Sequence, residues 1–255
     1  MDFTIIVPTF NSQRYIGQCL ESIISQKHNG ETQIIVVDNL STDNTLEISR
    51  NLGVEIISEK DNGEPDAINK GMKLAKGDIV AWLDSDDLYE PNALSIVESA
   101  FDRQKNLDWV YGKAYFLDSD GGKIRRLITM CKELLQKNYD YDKLCSLCFI
   151  PQPSVFMLRS FYKMVGDLNT DYKLIFDYEY WLRAGLLSTP MFIPEYLSSM
   201  RAHNGSLSVQ YSMTQMKQSL GLATRFKPNS ILTYSTRFLI LASTLVYYRT
   251  IGKYF

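Results

Sequence analysis

The sequence contains few cysteines and few histidines, which argues against a disulfide-rich protein and against a zinc site built from these residues. Its 255 residues include 4 cysteines and 2 histidines. Four cysteines in a chain of this length do not make a disulfide framework, and the first residues lack the basic and then apolar pattern of a signal peptide. Cys145 and Cys148 form a C-x-x-C pair, but no second pair or nearby histidine completes a zinc site. We therefore expect a protein of a reducing compartment, the cytoplasm.

An excess of positive charge and a long apolar run are also missing. The net charge is −2, whereas a nucleic-acid binder needs a concentrated basic surface. No apolar run reaches the ~20 residues that span a bilayer. Residues 231–255 come nearest, and their mixture of apolar, aromatic and basic residues is typical of an amphipathic helix. We expect it to dock on its own domain, on a partner such as a second copy in a homodimer, or peripherally on the inner face of the plasma membrane.

Short apolar runs alternate with helical patterns over roughly the first 115 residues. The runs predict strands at 3–7, 33–37, 54–58 and 78–83, and the patterns predict helices at 15–25, 43–52, 65–75 and 91–103. This alternation indicates an α/β fold, Rossmann-like, with a mostly parallel central sheet flanked by helices. It decays beyond a run at 109–117, where we predict a strand at 154–158, a helix at 176–187 and a late strand at 191–202.

Polar residues follow three of the predicted strands at their carboxyl ends. Pro8, Thr9 and Asn11 follow the first, Asp38 follows the second, and Asp84-Ser85-Asp86-Asp87 follows the fourth. Ligands bind at the carboxyl ends of the strands in open α/β sheets, so we expect these loops to converge on one crevice. Carboxylates are the ligands that Mg²⁺ and Mn²⁺ prefer, and such a cation would carry a phosphate. The acidic stretch could instead be a solvated turn that caps the next helix.

Two more groups of polar residues accompany this pattern. A carboxylate that leaves a strand, such as Asp38, can accept hydrogen bonds from a nucleobase N–H or a ribose hydroxyl. Asp66 and Asn69 lie three residues apart at a predicted helix start, and therefore on one face of that helix.

The ordered motifs resemble those of the family 2 glycosyltransferases, which have the GT-A nucleotide-diphospho-sugar transferase fold. The resemblance rests, in chain order, on Pro8-Thr9-Phe10-Asn11, Val36-Val37-Asp38, Asp66 to Gly71, Gly77-Asp78-Ile79, Asp84 to Asp87, Phe176 to Arg183, and Arg201-Ala202-His203 with Gly205-Ser206. It implies a GT-A domain over residues 1–205 and a helical C-terminal tail over 206–255. Within that domain, residues 1–118 would bind the nucleotide sugar and residues 119–205 the acceptor.

The resemblance also implies a function and a set of site residues. The implied activity is the metal-dependent, inverting transfer of a sugar from a nucleotide-sugar donor, with UDP as the expected nucleotide, to a hydroxyl of a saccharide or lipid-linked saccharide. The expected setting is the synthesis of a cell-surface polysaccharide or glycolipid. Asp177 would be the catalytic base, and Asp86 and His203 would hold Mn²⁺ or Mg²⁺. The donor would contact Pro8, Thr9, Asn11, Asp38, Asp66, Asn69, Asp84, Ser85 and Arg201.

Several other interpretations remain open at this point. Asp177 could cap its helix with Glu179 facing solvent, and His203 could be an ordinary loop histidine. A sugar-phosphate nucleotidyltransferase shares the topology, but it needs a glycine-rich loop after the first strand, and residues 8–14 contain no glycine. A non-catalytic nucleotide-sugar-binding module is disfavoured because Asp86 and Asp177 are both present.

Overall fold

The computed structural model describes residues 1–124, 133–203, 205–206 and 211–226. The first part of the chain alternates strands and helices as predicted. Its elements are β1 (Phe3–Thr9), α1 (Ile16–Ile24), β2 (Thr32–Asp38), α2 (Thr45–Asn51), β3 (Glu55–Ser58), α3 (Glu64–Met72), β4 (Ile79–Trp82), β5 (Leu88–Tyr89), α4 (Ala93–Arg103), β6 (Trp109–Leu117) and β7 (Lys123–Ile124).

The second part is richer in helix. It contains α5 (Tyr141–Ser146), a 3₁₀ turn (Gln152–Ser154), β8 (Val155–Leu158), α6 (Arg159–Val165), α7 (Phe176–Leu187), β9 (Met191–Arg201) and α8 (Ser212–Phe226). Neither β5 nor α6 is among the predicted elements. Among the described residues, no helix is long and apolar enough to cross a membrane. The segment 231–255, for which we predict an amphipathic helix, lies outside the described residues.

One sheet of nine strands runs through the described part of the chain, in the order β3-β2-β1-β4-β8-β6-β9-β5, with β7 paired to β6. Strands β1 to β4 are mutually parallel. Strand β8 runs antiparallel to β4 and β6, whereas β9 runs parallel to β6. The carboxyl ends of β1, β2 and β4 therefore meet at one edge, where open α/β sheets bind their ligands.

Helices pack on both faces of the sheet, so its central strands are buried on both sides and carry apolar residues on both faces. All seven residues of β1 are buried. One face packs against α1 and α4, and the other packs against α3, α6 and α7. On the second face the Trp181 indole stacks between those of Trp82 and Trp109, with ring centroids 5.3 and 5.7 Å away. This cluster fixes α7, and therefore Asp177, against the sheet.

Candidate active site

A cavity of about 740 Å³ lies at the carboxyl ends of β1 and β4. Nine of the twelve predicted site residues line it, namely Pro8, Thr9, Asn11, Asp84, Ser85, Asp86, Asp177, Arg201 and His203. The loops after β1 and β4 supply one wall, while the start of α7 and the loop after β9 supply residues from the second half of the chain. These nine residues therefore come together in one cavity, as predicted.

Asp86 and His203 form a direct contact between the two halves of the site. The Nε2 atom of His203 lies 2.9 Å from Oδ2 of Asp86. The Nδ1 atom of His203 accepts the Gly205 backbone N–H at 3.0 Å, so Nε2 carries the ring hydrogen and donates it to Asp86. Residues 117 positions apart in sequence thus present a carboxylate and an imidazole to the same point in the cavity.

The loop Asp84 to Asp87 is a tight turn fastened to β9. The Asp87 N–H donates to the Asp84 carbonyl at 2.9 Å, and Oδ1 of Asp87 accepts the Arg201 N–H at 2.8 Å. Burial raises the pKa of Asp87, and the neighbouring Asp86 and Asp84 raise it further. The helix α4 begins after Asn92 without a side-chain cap. The alternative that this loop caps the following helix is therefore wrong.

Arg201 lies beneath the same loop and bonds to it. Its guanidinium donates from Nε to the Asp86 carbonyl at 3.0 Å and from Nη2 to Gln18 Oε1 at 2.9 Å. The guanidinium also sits 4.7 Å from the centre of the Tyr15 ring, and the residue is only 6% exposed. These contacts hold the acidic loop in place, and the contact of Arg201 with the donor stays a prediction.

Asp84 faces a second carboxyl group, that of Glu64 in the first turn of α3. Burial raises the pKa of Asp84 to about 7; a hydrogen bond with Glu64 lowers it, while Asp86 and Asp177 raise it. The pKa of Glu64 is also raised, first by burial and then by Asp84, Asp177 and Asp86. Carboxyl groups this close repel one another when both are ionised, which raises their pKa values.

Asp177 is the second residue of α7 and lines the cavity beside this cluster. The N-cap position belongs to Ile175 and has no side-chain cap, so Asp177 does not cap the helix. Glu179 is buried and holds the Arg183 guanidinium through contacts of 2.9 and 3.0 Å. The alternative with a capping Asp177 and a solvent-facing Glu179 is therefore wrong.

Two other predicted donor contacts lie outside the cavity lining. Asp66 accepts the Asn62 N–H at 3.0 Å and lies 3.9 Å from the Lys70 ammonium. The Asn69 amide bonds both backbone groups of Leu168, at 2.8 and 2.9 Å, and accepts the Tyr162 hydroxyl at 3.1 Å. The side-chain amide of Asn69 is therefore bonded within the protein, where it joins α3 to the segment 168–175.

Asp38 is fully buried at the end of β2 and is also absent from the cavity lining. Its Oδ2 accepts the Ser41 N–H at 3.0 Å and the Ser58 hydroxyl at 2.7 Å. Its Oδ1 has no hydrogen-bond partner within the described part of the chain, and the same holds for the buried Oγ1 of Thr9. Each therefore retains an unused hydrogen-bonding atom at the carboxyl edge of the sheet.

The model of the family described as "Glycosyl transferase family 2" matches residues 4–163. This match covers more than half of the chain. The protein belongs to glycosyltransferase family 2. It is therefore a glycosyltransferase, and its activity lies in glycan synthesis.

Curated relatives of this glycosyltransferase include a PGL/p-HBAD biosynthesis glycosyltransferase of Mycobacterium bovis, 28% identical over 98% of this chain and 95% of that protein. A chondroitin synthase of Pasteurella multocida is 25% identical over 84% of this chain but only 22% of its own length. The first relative therefore matches along almost the whole of both chains, and the second contains a similar region within a much longer protein.

Solved structures confirm the GT-A α/β fold. Staphylococcus aureus TarS 1-349 in complex with UDP-GlcNAc superposes with a TM-score of 0.70 at 20% identity, covering 98% of this chain and 73% of that one. A mannosyltransferase from Pyrobaculum calidifontis, in complex with GDP-Man and Mn²⁺, gives 0.68 at 17% identity over 96% of this chain and 75% of that one. The chain spans 44% of a longer TarS structure.

The cavity of this family 2 enzyme is also lined by residues outside the predicted site residues, and Phe10, Glu64 and Lys173 are three of them. Phe10 lies in the first motif with its ring 57% exposed, Glu64 follows a turn glycine, and Lys173 precedes α7. Phe10 has a signal in the sequence, because a large aromatic residue directly after a buried strand is an unusual place for an apolar ring. Glu64 and Lys173 have none, since only the docking of α3 and α7 places them in the cavity.

Proposed function

We propose that the protein is a metal-dependent, inverting glycosyltransferase that moves a sugar from a UDP-sugar to a hydroxyl of a saccharide or lipid-linked saccharide. The observation that carries the proposal is the meeting of Asp86 and His203, at 2.9 Å, beside Asp84 and Asp177 in one cavity. A site for a cation and a base for an acceptor hydroxyl are thereby adjacent.

The donor nucleotide would occupy the carboxyl edge of β1, β2 and β4. Thr9 lines the cavity, and its unpaired Oγ1 suits the N–H of a uracil ring or a ribose hydroxyl. The contact of the buried Asp38 with the nucleotide stays a prediction. The exposed ring of Phe10 offers a surface for stacking a base. Pro8, Asn11 and Ser85 complete this wall: Asn11 accepts the Thr42 N–H at 2.9 Å, and the Ser85 hydroxyl lies 2.7 Å from that of Ser12.

The donor set at Asp86 and His203 fits a divalent cation. Within the described ranges no group of three or more acidic, histidine or cysteine side chains is arranged to hold a metal ion. Mg²⁺ is commonly held by one or two protein ligands together with substrate phosphates and water, and Mn²⁺ also accepts imidazole. When bound, the cation would neutralise the charge on the departing diphosphate. Coordination through Nε2 would require the ring hydrogen of His203 to move to Nδ1, which would then give up the hydrogen bond that it accepts from the Gly205 N–H.

Asp177 would act as the base. An inverting transfer requires one group to take the proton of the acceptor hydroxyl while that oxygen attacks the sugar. Asp177 is fixed to a helix that is itself locked to the sheet by Trp181, so its carboxylate is held in place before the acceptor arrives. Arg201 supports the opposite side by holding the loop of Asp86.

The acceptor class is proposed from the relatives. Their names place them in PGL/p-HBAD biosynthesis and in chondroitin synthesis, which supports a role in a cell-surface polysaccharide or glycolipid. Cytoplasmic location, peripheral membrane contact and dimerisation stay predictions.

Stabilisation by ligands tests this proposal. UDP together with Mn²⁺ should raise the melting temperature more than either alone, because each binds the native state and together they share one site. Slow hydrolysis of a panel of sugar nucleotides with Mn²⁺ would then identify the sugar. A protein whose melting temperature no nucleoside diphosphate changes, with or without the metal, would contradict the proposal.

A further inference from the structure

The cavity has an unbalanced set of charges for a site that receives a diphosphate. Its described lining contains six carboxylic side chains, Asp61, Glu64, Asp84, Asp86, Asp87 and Asp177, and three permanently basic ones, Arg14, Lys173 and Arg201. A divalent cation at Asp86 and His203 offsets part of the negative charge. The phosphate oxygens turned away from that cation still need a hydrogen-bond donor of positive charge.

Two of the three basic residues are already engaged. The Arg201 guanidinium is buried and donates to Asp86, Gln18 and Asp118. Arg14 lies at the rim, where its guanidinium pairs with Asp120 at 3.4 Å and stands 5.0 Å from the centre of the Tyr15 ring. Neither is free to turn toward a phosphate without giving up a contact.

Lys173 differs from both. Its side chain makes no hydrogen bond or ion pair with the part of the chain that the structure describes, although it lines a cavity with six acidic side chains. Its alkyl stem crosses from the acceptor half onto Gly63 at the start of α3. A Cβ atom placed on Gly63 would lie 3.6 Å from Cδ and 3.8 Å from Cε of Lys173. The stem of this exposed lysine therefore contacts the start of α3, in the nucleotide half.

The backbone that carries Lys173 is anchored on both sides. Asn69 binds both backbone groups of Leu168, and the Gln215 amide of α8 donates to the Leu174 carbonyl at 2.9 Å. Arg225 of α8 lies 3.2 Å from the Tyr172 hydroxyl. A lysine on a fixed segment, with a packed stem and an unpaired ammonium, is arranged to meet an anion.

We propose that Lys173 binds the phosphate oxygens of the donor diphosphate, on the side away from the cation site. This contact rests on the proposed function, since it requires a nucleoside diphosphate in the cavity. It adds a substrate-binding residue from the acceptor half, so that the diphosphate is held by both halves of the protein.

Calorimetric titration of UDP and of uridine in the presence of Mn²⁺ tests the contact. Lys173→Met keeps a stem that can pack on Gly63 and removes the charge. We expect it to weaken UDP binding about tenfold, the size of one charge-assisted hydrogen bond, and to leave uridine binding unchanged. Lys173→Arg should restore most of the UDP affinity. Lys163→Met, which removes an exposed lysine from α6, should bind UDP as the wild type does.

The outcomes separate the contact from the function it rests on. If Lys173→Met binds UDP as tightly as the wild type does, the contact alone is overturned. If that variant also has a raised Michaelis constant for the acceptor, Lys173 contacts an anionic group of the acceptor instead of the donor diphosphate. An equal loss of uridine affinity also overturns it, because the lysine would then touch the nucleoside. Wild-type protein that binds no UDP overturns the contact together with the proposed function.

Discussion

Asp177 lies in the first turn of a helix that is packed on the sheet, and it lines the same cavity as the other acidic residues. We expect Asp177→Asn to lower kcat by about 10² to 10⁴, because an amide cannot take the proton of the acceptor hydroxyl. Binding of UDP should persist, since the nucleotide wall lies on β1, β2 and β4. The rate of sugar transfer or donor hydrolysis and a UDP titration measure the two effects.

A matched control for this variant is available on the same segment. Asp171→Asn removes an exposed carboxylate six residues earlier and should leave both readouts unchanged. Transfer that survives Asp177→Asn at the wild-type rate would remove Asp177 from the chemistry and would favour a different base.

His28 is the other histidine of the chain, and it lies in the loop between α1 and β2. Its Nδ1 accepts the Gly30 N–H at 3.1 Å and its Nε2 lies 2.7 Å from the Thr32 hydroxyl, which requires the neutral ring. Burial lowers the pKa of His28; Glu98 and Asp2 raise it, and the Met1 amino group lowers it. The folded protein thus binds this proton less tightly than the unfolded chain.

The stability contributed by neutral His28 is therefore present above about pH 6.5 and lost as the pH falls through its lowered folded-state pKa. We expect the difference in unfolding free energy between the wild type and His28→Gln to be largest at pH 7 and to shrink toward pH 5. Urea titrations at several pH values measure this difference. The control variant His203→Gln retains His28, so its unfolding free energy should vary with pH as that of the wild type does. A difference that grows on acidification would show that His28 is charged in the folded protein.

At the scale of elements, Asn69 shows how a motif residue can serve the fold. It ties α3 to Leu168 through two hydrogen bonds and to Tyr162 of α6 through a third. Asn69→Ala leaves buried backbone groups of Leu168 without partners and should lower the unfolding free energy by about 1–3 kcal/mol. The variant that remains folded should bind uridine as the wild type does. Lost uridine affinity with an unchanged unfolding free energy would return Asn69 to the nucleotide site.

Local pattern predicts some elements and misses others for physical reasons. The strands β1 and β4 are buried throughout and β2 is buried over its last five residues, so each appears in the sequence as an apolar run. The strand β5 has only two residues and exists because Leu88 and Tyr89 pair with Ser199 and Ser198 of β9. A pairing across more than a hundred residues leaves no local signal, so neither β5 nor the fastening of Asp87 to Arg201 could be predicted from a window of sequence.

At the scale of the whole molecule, the edge rule for parallel sheets predicts the loops of the site but not the face of each helix. Pro8 to Asn11 and Asp84 to Asp86 line the cavity because they leave neighbouring strands at one edge. Asp66 contacts Asn62 and Lys70, and Asn69 contacts Leu168 and Tyr162, whereas Glu64 lines the cavity. The orientation of a helix about its axis follows from packing against the sheet, which spacing alone does not determine.

Asp86 and His203 meet only because β9 returns along β6 and carries its last residues to the end of β4. The central claim is that this meeting point holds the cation that carries the donor diphosphate. A crystal structure grown with UDP and Mn²⁺, with an anomalous difference map, tests it directly. We predict one manganese peak within about 2.5 Å of both an Asp86 carboxylate oxygen and Nε2 of His203, bridging to the diphosphate. UDP bound in the cavity without a peak there, or a peak that contacts neither side chain, would contradict the account.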